Sequence, residues 1–251
     1  MCVDLDSSPP IAATGAMVRQ RDLTLSAPDG NTLAALEAHG DEPSKTGVVV
    51  LPDVRGLHDF YKQLAVRFGE AGHDSVAIDY FGRTAGLGPR DESFSFMDHV
   101  PHCTAEGVRA DVAAAVAHLR SNRDDRAVFT VGFCFGGSNS WHQAANGHGL
   151  AGAVGFYGNP KGERPAGAGY VIDRVKDMAC PILGLMGGDD PGIPAKVVAA
   201  FDKALEKAAV EHEIVTYPGA PHSFFDRKYT QFASESADAW KRVLTFLERH
   251  S

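Results

Sequence analysis

Ala127-Val128-Phe129-Thr130-Val131-Gly132-Phe133-Cys134-Phe135-Gly136-Gly137 is the stretch on which the fold turns. Its first five residues form a short apolar run of the kind that makes a fully buried strand. A Gly-x-Cys-x-Gly-Gly turn follows, and beyond it Trp141, Ala144 and Ala145 are spaced as on one face of a helix. Strand, sharp turn and helix in immediate succession define a nucleophile elbow. Such a turn needs glycines on both sides because the strand and helix backbones approach closely, and it holds the central residue in a strained conformation above the sheet. The helix starting at the same point contributes partial positive charge, which favours thiolate over thiol at Cys134.

On either side of this stretch the pattern repeats. Apolar runs at 47–51, 75–78, 127–131, 151–156, 181–186 and 213–217 are bounded by Gly, Pro, Asp or Asn and read as buried strands. Between them lie helical patterns: Leu57, Tyr61, Leu64, Phe68 and Ala71, ended by Gly72; Val108, Val112, Val116 and Leu119; Val197, Phe201, Leu205 and Ala208 after Pro194; and Ala237, Trp240, Leu244 and Leu247. This alternation predicts an α/β fold with a mostly parallel sheet covered on both faces. At the N-terminal side, 18–25 and 32–38 read as an antiparallel pair turning at Pro28-Asp29-Gly30. Two long connections, 82–103 and 158–170, are expected to wall a substrate pocket.

The other strand ends carry the rest of the chemistry. Gly187-Gly188-Asp189-Asp190 follows the run at 181–186, and Ala220-Pro221-His222 follows the last strand. Nucleophile, acid and base thus stand in the chain order required of an elbow enzyme, with the imidazole moving protons and the carboxylate fixing its tautomer. From the residues alone, Asp189 and Asp190 are equal candidates. His99, His102 and Cys103 lack a fourth partner at usable spacing, so no metal site is expected.

The 251 residues carry a net charge of -8, with 44% hydrophobic and 22% charged residues, which is ordinary for one globular domain. The acidic balance and the lack of a Lys/Arg run argue against nucleic acid or an anionic membrane as partner. The cysteines at 2, 103, 134 and 180 form no CxxC pair and suit a reducing cytoplasm. Residues 1–16 show no export signal and are expected to be a flexible tail, with residues 17–251 as one domain.

With these residues in view, the chain resembles the dienelactone hydrolase (carboxymethylenebutenolidase) family of the α/β-hydrolase superfamily from about Val18 to the last helix. The match rests on Gly132-Phe133-Cys134-Phe135-Gly136-Gly137, Met186-Gly187-Gly188-Asp189-Asp190 and Gly219-Ala220-Pro221-His222-Ser223-Phe224. The resemblance implies an eight-stranded α/β-hydrolase sheet without a large cap domain. It also implies Asp190 as the triad acid and an oxyanion hole from the backbone N–H groups of Val54 and Phe135. Asp53 stands where the family has a glutamate that interacts with the cysteine thiol. Arg83 matches a family arginine that contacts the substrate carboxylate. A second such arginine is displaced, with Asp226 at the aligned position and Arg227 one residue later.

The resulting expectation is a cysteine-dependent carboxylic ester or lactone hydrolase with a Cys134–His222–Asp190 triad and a thioester intermediate. No cofactor is needed, the substrate is a small ester or lactone, and the chain acts as a monomer or small homo-oligomer. The rival readings are a small-molecule receptor or redox-sensing thiol protein on the same fold, and a hydrolase of another electrophile such as a thioester, peptide or phosphoester.

Overall fold

A computed structural model describes residues 8–226 and 228–251. Eight strands form one sheet: β1 (Arg19–Ser26), β2 (Thr32–His39), β3 (Thr46–Leu51), β4 (Asp74–Ile78), β5 (Ala127–Phe133), β6 (Gly152–Phe156), β7 (Ile182–Gly187) and β8 (His212–Tyr217). Their order is β1-β2-β4-β3-β5-β6-β7-β8. β2 pairs antiparallel with both β1 and β4, and every other pairing is parallel. The helices are α1 (Asp59–Glu70), α2 (Gly82–Ala85), α3 (Phe96–His99), α4 (Ala105–Arg120), α5 (Phe135–Ala144), α6 (Ala195–Lys207) and α7 (Ala233–Arg249).

The buried strands have the continuous apolar character that a sheet covered on both faces demands: β3, β4, β6 and β7 are buried at every position. The edge strand β1 instead exposes its first four residues. The central helix α5 is buried along its whole length. Its Trp141 ring packs on Phe201 of α6 at 4.9 Å between centroids, and its indole N–H donates to the Leu183 carbonyl of β7 at 3.2 Å. Removing a ring buried in this way costs roughly 3–5 kcal/mol, so the helix behind the elbow is firmly seated.

The two long connections differ from expectation in opposite ways. Segment 82–103 is not a plain loop: it contains α2, α3 and a 3₁₀ turn at Val100–His102, held by short-range bonds. Segment 158–170 has neither helix nor strand but is pinned at both ends, Ser138 Oγ donating to Asn159 O at 3.1 Å and Ala105 N donating to Ala166 O at 2.8 Å. Of the expected tail, residues 1–7 lie outside the described residues. Beyond them, Pro9 is buried, Ile11 packs against the core and the Thr14 N–H donates to Glu70 Oε2 at 3.2 Å. No helix of the described residues is long and apolar enough to cross a membrane.

Candidate active site

Cys134 caps β5 and opens α5 with φ 54° and ψ -112°, a left-handed conformation that a side-chain-bearing residue adopts only when its surroundings enforce it. The flanking glycines supply that enforcement. A Cβ at Gly132 would overlap the Gly136 carbonyl oxygen, and one at Gly136 would overlap the carbonyls of Leu51 and Pro52. The Cys134 N–H is fixed by Phe156 O at 3.0 Å, and its own carbonyl accepts from Gly137 N at 3.0 Å. Neighbouring strand ends therefore clamp the turn from both sides.

Cys134, Phe135, Val54 and His222 line a single cleft of about 440 Å³, together with Ser138, Tyr157, Asn159, residues 162–164, Gly192 and Ile193. Cys134 is partly exposed there, whereas Cys103 and Cys180 are buried. Burial pushes the Cys103 and Cys180 thiols up to about 12, which leaves them as unreactive core groups.

The His222 Nδ1–H donates to Asp190 Oδ2 at 2.6 Å, and Asp190 Oδ1 accepts from Gly192 N at 2.9 Å. With its proton committed to the carboxylate, the ring keeps Nε2 as its basic nitrogen. Asp190 is buried, while its neighbour Asp189 is exposed and makes only a backbone bond to Ala220 O. The sequence leaves these two aspartates level; the structure puts Asp190 on the imidazole.

Two other sequence-marked residues, Asp53 and Arg83, are not among those lining the cleft. Asp53 is fully buried, its Oδ1 accepting from Arg55 N at 2.8 Å and lying 3.8 Å from His58 Nε2. Burial holds the His58 imidazole down to about 3, so it stands neutral beside that carboxylate. Arg83 is not among the residues lining the cleft. Its Nη1 donates to Asp111 Oδ2 at 2.6 Å and its Nη2 to Asp29 Oδ2 at 2.7 Å, so two carboxylates of the chain itself occupy the guanidinium. The structure thus places Arg83 on the protein's own carboxylates and away from the cleft lining. Arg227 lies outside the described residues.

Segment 82–103 also stays out of the cleft. Phe94 packs on Phe81 and His99, and part of the segment lines a separate cavity of about 600 Å³ with Leu57, His58 and Lys62. No cysteine or serine of the described residues lines that larger space. Among the described residues no group of three or more His, Cys, Asp or Glu side chains is placed to hold a metal ion.

One buried pair escaped the sequence reading. The Tyr157 hydroxyl donates to Asp226 Oδ2 at 2.6 Å, both residues are fully buried, and the Tyr157 ring lies 4.9 Å from that of His222. Tyr157 immediately follows β6 with a positive φ of 38°, the same strand-end position that singles out Cys134 after β5. That position was the available signal for Tyr157; nothing local pairs it with Asp226, 69 residues away.

A sheet with this strand order, a strained cysteine at the elbow and an Asp–His pair at the following strand ends define an α/β-hydrolase. The sequence profile of the dienelactone hydrolase family matches residues 33–251, and the chain belongs to that family. A putative carboxymethylenebutenolidase of Yersinia pestis is 28% identical over 81% of this chain and 78% of its own length. A probable 2-oxo-3-(5-oxofuran-2-ylidene)propanoate lactonase of a Bradyrhizobium species is 29% identical over 81% of this chain and 83% of its own. Among solved structures, a putative dienelactone hydrolase from Klebsiella pneumoniae superposes with a TM-score of 0.82 at 24% identity, covering 92% of this chain and 99% of that one. The chain is thus an enzyme of the hydrolase class.

Proposed function

We propose that the protein hydrolyses small carboxylic esters or lactones through a Cys134–His222–Asp190 triad, residues 17–251 acting as one catalytic domain. The observation that carries this reading is the 2.6 Å Asp190–His222 bond with His222 and Cys134 on one cleft. Family membership and the lactonase relative support an ester or lactone carbonyl as the electrophile.

With its proton passed to His222 Nε2, the Cys134 sulfur attacks the carbonyl carbon, and the new C–S bond pushes the π electrons onto oxygen. The backbone N–H groups of Phe135 and Val54 receive that oxyanion, Phe135 N–H being one of the first-turn donors that a helix leaves without an internal acceptor. Collapse breaks the C–O bond, His222 returns the proton to the departing oxygen, and a thioester remains. Water then gives a proton to His222 Nε2 and attacks the thioester, releasing the acid and the thiolate. For a lactone, the departing oxygen stays in the same molecule as a hydroxyl or enol. The partly exposed thiol also suits a reducing, cytoplasmic setting.

The decisive experiment is nitrophenol release from a short-chain aryl ester. Cys134→Ala should lose on the order of 10³-fold or more in kcat/KM, and quenching the parent enzyme mid-turnover should show an acyl adduct on Cys134 by mass spectrometry. Full activity in Cys134→Ala would overturn the triad, and tight ligand binding with no turnover in the parent would favour the receptor reading.

A further inference from the structure

We propose that a second cavity, formed between α4, α5 and the 158–170 connection, is a binding site for a small, singly charged oxyanion that also carries a hydroxyl group. This cavity of about 570 Å³ is bounded by Thr104 and the start of α4, by one face of α5, by residues 165–168 and by Arg174. None of its lining residues lines the catalytic cleft. Asn139 and His142 stand three apart on α5 and so share the helix face that meets this space. Both are almost wholly buried, at 0% and 2% exposure, yet Asn139 Oδ1 and both ring nitrogens of His142 have no hydrogen-bond partner among the described residues. Gln143, next along the helix, shows the contrast: its Oε1 accepts from Asn146 Nδ2 at 2.9 Å and lies 2.9 Å from His148 Nε2. Buried polar groups in folded proteins are as a rule paired. Two left open on one helix face, along one cavity, mark a place where a ligand supplies the partners.

The open groups and the charges around them specify the ligand. The Asn139 amide is oriented by its Nδ2, which donates to Phe135 O at 3.0 Å, so Oδ1 is left as a pure acceptor. Burial and the nearby Arg174 charge hold the His142 imidazole down to about 4. At neutral pH the ring is therefore uncharged and offers one N–H donor and one acceptor nitrogen. A hydroxyl and an oxyanion on the same small molecule meet that set: the hydroxyl donates to Oδ1 or to the bare ring nitrogen, and the oxyanion accepts from the imidazole N–H. Two arginines, Arg109 and Arg174, line the cavity against one glutamate, Glu106, a balance that a single negative charge neutralises. The bonds of Arg174 run through Nη2, to Ala145 O and Asn146 Oδ1, which leaves its other donors uncommitted. Dihydrogen phosphate and a short hydroxycarboxylate both carry this pair of groups.

The test follows the ring signals of His142, assigned by their absence in His142→Gln, in proton–carbon NMR spectra of the full chain at pH 6, where phosphate is mainly the singly charged ion. Each ion is set against a counterpart without the hydroxyl, phosphate against sulfate and glycolate against acetate, at matched ionic strength. Phosphate and glycolate should shift the signals saturably, at concentrations at least about tenfold below those at which sulfate and acetate act. Whichever of the two binds more tightly identifies the source of the oxyanion. Asn139→Leu, which removes the open acceptor, and Arg109→Gln, at the exposed rim, should each weaken binding about threefold to tenfold, and Arg109→Gln decides alone if the buried variant does not fold. Cys134→Ala should bind as the parent does. Equal responses within each pair would mean charge screening only and would overturn the assignment. Signals that ignore all four ions, as when buried water serves these groups, would overturn it as well. So would loss of binding in Cys134→Ala, which would move the ligand to the catalytic cleft. No arm relies on ester turnover, so the outcome is independent of the triad.

Discussion

Two parts of the molecule carry motifs of charged and aromatic residues, and the fold treats them in opposite ways. At the carboxyl ends of β5 and β8, Cys134 and His222 line one cleft, and Asp190 from the end of β7 is bonded to His222. In the segment after β4, the charges neutralise one another inside the protein. Asp79 is fully buried and accepts from Leu57 N, Phe81 N and both Nε and Nη2 of Arg90, whose guanidinium also lies 4.4 Å from the Phe94 ring centroid. One region sets its polar groups along a cleft; the other uses them to hold the chain together. An arginine in a motif therefore says little until its neighbours are known.

The sharpest way to break the comparison is to remove the acid from the open region. Asp190→Asn keeps the shape of the site but no longer holds His222 in one tautomer, and kcat/KM on a neutral aryl ester should fall roughly 10³- to 10⁴-fold. The same change should cost less than about 1 kcal/mol in urea unfolding, because no buried charge is left without its counter-ion. A large loss of stability with activity kept would show that this pair is structural and that the contrast is false.

The converse change belongs to the closed region. Asp79→Asn leaves the Arg90 guanidinium buried without a counter-charge, a situation that costs about 3–5 kcal/mol. Unfolding midpoints should drop accordingly, while the fraction that remains folded turns over neutral ester at nearly the parental rate. A variant that folds as well as the parent but has lost turnover would assign Asp79 to catalysis rather than to the frame.

The difference between the regions also explains what could be read from the chain. The strands are legible because a sheet covered on both faces forces near-continuous apolar runs, and β3 through β8 are found within two residues of those runs. The elbow is legible because steric overlap at Gly132 and Gly136 demands glycine whatever else the protein does. Asp190 and His222 follow from strand ends and chain order. The fate of Arg83 was not legible, because its partners Asp29 and Asp111 stand 54 and 28 residues away and nothing local marks them. The Tyr157–Asp226 bond fails for the same reason. Local rules report where backbone geometry is constrained; they do not report which distant charge arrives beside a given side chain.

The smallest expected effect concerns Arg83 itself, and it sharpens the comparison through pH. Burial pushes the Asp111 carboxyl up to about 6, with the Arg83 contact opposing the rise. The folded state thus binds a proton more tightly than the unfolded chain, whose carboxyl titrates near 3.8. Asp111's contribution to stability is complete below that value and is lost as pH rises through about 6. Arg83→Ala removes the group that offsets the buried negative charge. Its penalty should therefore be smallest at pH 4–5, where folded Asp111 is protonated and Asp29 alone remains as an ionised partner, and grow by about 1 kcal/mol by pH 8, a modest figure because Arg83 is partly solvated. Urea unfolding of Arg83→Ala and the parent across that range measures it, with Asp111→Asn as the control that should abolish the pH dependence of the difference. A penalty independent of pH would mean that Arg83 acts through its packing and its Asp29 pair, and that its contact with Asp111 adds nothing to stability.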